Sequence, residues 1–92
     1  MAGALEAIVE RLAPETLLAD VQRAWPEAVG ALIAAQAQPT AERGGVVTIS
    51  CSASVWAQEL DLMAPQIVEQ LNTALRRGRV GRLRCVSVGY QR

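Results

Sequence analysis

Histidine, lysine and phenylalanine are absent from the 92 residues. Without histidine there is no imidazole for proton transfer or metal ligation, and without lysine there is no Schiff-base amine and no phosphate-loop lysine. Cys51 and Cys85 are the only cysteines, and they lie in separate strand-like segments with no C-x-x-C pair. Two thiols without histidine do not complete a four-ligand shell unless carboxylates join them, so no metal site is expected. Both cysteines are read as small hydrophobes in the reduced state. Carboxylates offer no better catalytic start. Glu59 and Asp61 are two residues apart, which turns them to different sides of a helix. Ser50, Ser52 and Ser54 have no base nearby in sequence. No cofactor motif is present, and an enzyme is the least supported class.

Aromatic residues are also scarce. Trp25, Trp56 and Tyr90 are the whole set, so a core must be built from Leu, Val, Ile and Ala, which help bring the hydrophobic share to 51%. Both tryptophans fall in register with apolar neighbours and are read as core residues rather than partner anchors. No apolar run approaches the roughly 20 residues of a membrane span. The first ten residues carry acids where a signal peptide carries basic groups, so the expected location is cytoplasmic. The length suits a single domain, 1–92, in which 1–13 form a short leading helix.

A net charge of zero conceals a division. Residues 1–69 hold all nine acids against three arginines, net −6. Residues 70–92 hold Arg76, Arg77, Arg79, Arg82, Arg84 and Arg92 with no acid, net +6. Such asymmetry suggests a local anion-facing surface on a neutral body; the alternative is that Arg76 and Arg77 serve the helix dipole and the rest are solvated strand edges. Every basic residue is arginine, whose fork matches phosphate.

Hydrophobic spacing supplies the order of elements. Leu5, Ile8, Val9 and Leu12 share one face of the short leading helix. Pro14 and Glu15 then read as a helix start. Leu17, Val21, Trp25, Val29 and Ile33 recur every fourth residue, with a kink or break expected at Pro26 and close backbone contact at Gly30. After Pro39 the period changes. Thr40–Arg43 and Val46–Ser52 read as strands around a Gly44-Gly45 turn, with Val47, Ile49 and Cys51 alternating with polar residues. Ser52 or Ser54 is a candidate cap for a helix carrying Trp56, Leu60 and Met63. Pro65 separates it from a second helix with Ile67, Leu71 and Leu75, and Arg76-Arg77-Gly78 closes that helix. Val80–Tyr90 reads as the last strand. This predicts an α+β fold in the order αββααβ after the leading helix. A small three-stranded sheet is covered by helices on one face, with Thr48 and Ser50 toward solvent.

The arginines at 76, 77, 79, 82 and 84 are the candidate nucleic-acid-binding residues. Only Tyr90 is available to stack on bases, so contacts should be mainly to phosphate, weak and salt-sensitive. Gly78-Arg79-Val80-Gly81 matches a G-x-x-G string. In KH domains such a loop joins two helices and clamps a nucleic-acid backbone. Here it joins a helix to a strand and is read as a cap and turn.

Trp25 with Val29-Gly30, Ile33-Ala34, Pro39, Val47-Thr48-Ile49, Ser54-Val55-Trp56-Ala57-Gln58-Glu59-Leu60, Leu71-Asn72, and Val80 with Leu83-Arg84 together resemble the DciA family. The resemblance spans roughly Trp25 to Gly89. It implies a KH-like fold of type II order, and a non-enzymatic role in bacterial DNA replication as a partner of the replicative helicase that also contacts DNA. Two alternatives remain: a KH-like RNA-binding or ribosome-associated module, and an adaptor that pairs through a strand edge.

Overall fold

The computed structural model describes residues 16–75 and 79–88. The expected leading helix and its Pro14-Glu15 boundary, Arg76 and Arg77, Gly78 and Tyr90 lie outside the described residues.

Helix α1 runs Leu17–Val29 and is capped by Thr16, whose hydroxyl accepts the Ala19 N–H at 3.0 Å. Pro26 does not break it. Proline there removes only the bond to the Gln22 carbonyl, and Pro26 lies on the solvent side. The break comes at Gly30, with φ +93° and ψ 158°, and Ala31–Gln36 form a short second helix, α2. A side chain at Gly30 would meet no atom within 4 Å, so its value is conformational rather than the close contact expected.

Strand β1 spans Ala37–Arg43 and β2 spans Val46–Cys51, joined by Gly44 and Gly45 at φ +58° and +86°. These positive angles are why two glycines make the turn. The first strand begins three residues earlier than the spacing suggested and passes through Pro39. Pro39 is tolerated on an edge strand, where the pairing shifts between Pro39 and Ala41 in a bulge. Helix α3 spans Ser54–Ala74 and continues unbroken through Pro65, so the two helical segments expected after the hairpin run together. Its first turn has no side-chain cap. Ala53 holds the cap position, and the Ser52 hydroxyl donates instead to Gln36 Oε1 at 2.7 Å. Strand β3 spans Arg82–Ser87 and pairs parallel to β2.

The result is an α+β fold consistent with the expected order αββααβ, with the two helical segments after the hairpin fused into α3. A mixed sheet β1-β2-β3 has β2 in the centre, and α1 and α3 pack on one of its faces. Val47, Ile49 and Cys51 of β2 meet Trp25, Leu60, Ile67, Leu71 and Leu83 in the core. Trp25 is buried, and its indole N–H donates to the Ala37 carbonyl at 2.7 Å, tying α1 to the start of β1. Trp56 is half-buried and packs against the core rather than within it.

Candidate nucleic-acid interface

Alternation along the strands divides the sheet into two faces. Val47, Ile49 and Cys51 turn to the helices, so Val46, Thr48 and Ser50 turn away. The parallel register Val46↔Arg82, Thr48↔Arg84 and Ser50↔Val86 puts Arg82, Arg84 and Val86 on that same open face. The antiparallel register Arg43↔Val46 and Ala41↔Thr48 adds Arg43 from the opposite edge. Arg43, Val46 and Arg82 therefore form one row across the sheet. At strand spacings of about 4.8 Å, the backbones of the two arginines are roughly 10 Å apart. Arg84 stands one repeat along β3 from Arg82, about 7 Å away.

All three arginines are exposed, and none forms an ion pair among the described residues. The one ion pair there joins Arg23 and Asp20 on α1, on the other side of the molecule. Glu42 is the neighbouring acid and lines a shallow depression with Ala41, Arg43, Val46, Thr48 and Arg84. Its carboxylate is engaged in the hairpin, accepting the Gly45 N–H at 2.8 Å. Further along the face, Thr40 and Ser50 share a hydroxyl–hydroxyl bond of 2.7 Å. No aromatic side chain stands on this face among the described residues.

Two contacts hold the basic corner in place. The Gly45 carbonyl accepts from both Gly81 N–H at 2.8 Å and Arg82 N–H at 3.3 Å, fastening the hairpin turn to the start of β3. The Asn72 side chain then acts as a local strand partner. Its Oδ1 accepts the Val80 N–H at 2.7 Å, and its Nδ2 donates to the Val80 carbonyl at 2.9 Å. Val80 is thereby drawn into the core, and Arg79 is left exposed beside the corner. Of the five arginines singled out from sequence, Arg82 and Arg84 share the open face and Arg79 is exposed in the segment leading to it. Arg76 and Arg77 fall outside the described residues. Arg43 was missed. Its signal was its position just before the Gly-Gly turn, but only the register of all three strands aligns it with Arg82.

The cysteines belong to the opposite face. Cys51 is fully buried, and burial pushes its thiol up. Cys85 is half-buried and pushed up to about 11, first by burial, then by the neighbouring Cys51 and by Asp61. Both are free thiols held protonated. The described residues contain no group of three or more side chains suited to a metal ion, and no helix long and apolar enough to cross a membrane.

Comparison with known proteins resolves the family. Residues 2–85 match the family model described as Dna[CI] antecedent, DciA. The chain belongs to the DciA family. A UPF0232 protein of Streptomyces avermitilis is 34% identical over 94 residues, covering 94% of this chain and 52% of that protein. UPF0232 proteins of Rhodococcus jostii and Streptomyces coelicolor are 38% and 36% identical, over 65% and 71% of this chain. The chain spans between about a third and a half of the length of these DciA-family relatives.

Proposed function

We propose that this domain is a non-enzymatic accessory of bacterial DNA replication. In this reading it binds the replicative helicase and touches DNA weakly through Arg43, Arg82 and Arg84, with Arg79 at the margin. DciA membership supports the replication and helicase-loading theme. The observation that carries the DNA contact is the alignment on one open sheet face of three exposed arginines with no ion-pair partner among the described residues. Arginines spaced by about 7 Å along a strand and roughly 10 Å across it can each take a phosphate oxygen, whatever the base. Among the described residues no aromatic stands on that face to add stacking, and affinity should lie near the non-specific range of about 10⁻⁴–10⁻⁶ M.

The RNA-clamp alternative finds less support. A KH clamp needs a loop between two helices, and α3 is continuous across Met63–Gln66, where that loop would stand. The test of the protein partner is sedimentation of the purified domain with the replicative helicase of the same organism. Co-sedimentation is expected. A domain that stays free of helicase, yet recovers ribosomal proteins from cell extract, would overturn the reading in favour of the RNA-binding one.

A further inference from the structure

Charge is segregated by layer. The three described helices carry Asp20, Glu27, Glu59, Asp61 and Glu69 against Arg23 alone, and Arg23 is paired with Asp20. Helix α3 has no basic residue in its 21 positions. Its inner line is Leu60, Ile67 and Leu71, against the sheet. Val55, Leu62 and Glu69 recur every seven residues and therefore lie along the opposite, outward side. Val55 is 57% exposed and Leu62 79%, the latter the most exposed large apolar side chain among the described residues. They stand about 10 Å apart along the axis. Glu59 and Asp61 flank this line on its two sides. Beyond Glu69, at the C-terminal end of α3, a groove between α1 and α3 is lined by Glu27, Ala28, Gln70, Thr73 and Ala74.

A single exposed leucine needs no explanation. Two aligned on one face and bordered by acids form a short apolar strip that a partner helix can cover. We propose that the outward face of α3 docks an amphipathic helix of a protein partner, one whose apolar stripe is flanked by lysine or arginine. This rests on the reading that the domain works by binding a protein. The partner's stripe covers Val55 and Leu62, and its basic flanks meet Glu59, Asp61, Glu69 and Glu27. A second copy fits poorly, because antiparallel α3–α3 pairing sets these acids against one another. Nucleic acid is repelled by the same charges. Because α3 covers one face of the sheet and the arginines occupy the other, docking leaves the arginine face open, and protein and DNA are held at the same time.

The probe is a fluorescent synthetic peptide of four leucine–lysine heptads. Its controls are a scrambled peptide of the same composition and a version with glutamate in place of lysine. The parent should bind the heptad peptide and neither control. Leu62→Ser should weaken binding about tenfold, the loss expected for one apolar side chain at a contact. The double variant Glu59→Gln/Glu69→Gln should weaken it and flatten its salt dependence, while Arg82→Ala/Arg84→Ala should leave it unchanged. Melting curves matching the parent's confirm that the exposed substitutions leave the fold intact. Equal binding of the scrambled peptide, or unchanged binding by Leu62→Ser, overturns the proposal. A second arm uses the purified helicase. If parent and Leu62→Ser bind it equally, this docking surface is wrong while the helicase reading stands. If the parent binds the heptad peptide as expected but no helicase, the surface stands and the helicase reading fails.

Discussion

Asn72 stands in for a strand partner at the point where the chain leaves α3, giving and receiving one bond each at Val80. Truncating it would leave a partly buried N–H and a carbonyl without partners, a penalty of about 1–3 kcal/mol. Asn72→Ala should therefore lower stability by about that amount in a denaturant titration. A variant as stable as the parent would mean that water replaces the side chain without loss. Cys85 gives a pH signature. Its folded thiol is held up to about 11, against 9.0 for an unperturbed thiol. Above pH 9 the unfolded chain gives up this proton while the folded chain keeps it. The associated stability is whole below 9 and disappears as pH rises through 11. Melting temperature should fall between pH 9 and 11, and less steeply in Cys85→Ala. Parallel slopes for the two proteins would show that other groups carry the alkaline loss. Trp25 makes a different point at this scale. Its burial followed from its place in a four-residue spacing, whereas its bond to the Ala37 carbonyl depends on a strand twelve residues away.

At the scale of elements, the two internal prolines had the same local signal and the same outcome. Pro26 and Pro65 both sit inside helices that continue past them. Each faces solvent, and packing of the opposite side against the sheet outweighs a local penalty of about 3 kcal/mol. Pro65→Ala should consequently raise stability by about 1–3 kcal/mol by restoring a backbone bond. If Pro65 instead marks a required bend, the variant will be destabilised, and chemical denaturation separates the two cases. The hairpin and the faces of β2 were legible because positive φ demands glycine and because alternation is a two-residue pattern. The true start of β1 was not, since proline within a strand is admitted only by its edge position and its bulge. Gly30 was legible as a special residue but not as a helix break, because its role is carried by its own φ and not by any neighbour.

Along the chain, sequence showed a negative front and a positive end, but the folded division among the described residues is different: an acidic helical layer behind a sheet with a basic open face. Arg43 crossed from one group to the other because strand register, not chain position, decides which side chains meet. Segregation of this kind suits a small domain that holds two unlike partners on opposite sides. In the proposed reading it also limits DNA affinity, since acids behind the sheet oppose attraction and salt screens charges beyond about 8 Å.

The most direct measurement is a salt titration of fluorescent single- and double-stranded DNA against the parent and Arg43→Ala/Arg82→Ala/Arg84→Ala. The parent should bind weakly, with affinity falling steeply as salt rises. The triple variant should bind more weakly still, with its logarithmic slope flattened by about three phosphate contacts, and should melt within a few degrees of the parent. An unchanged slope in a folded triple variant would contradict the assignment of the open sheet face to DNA.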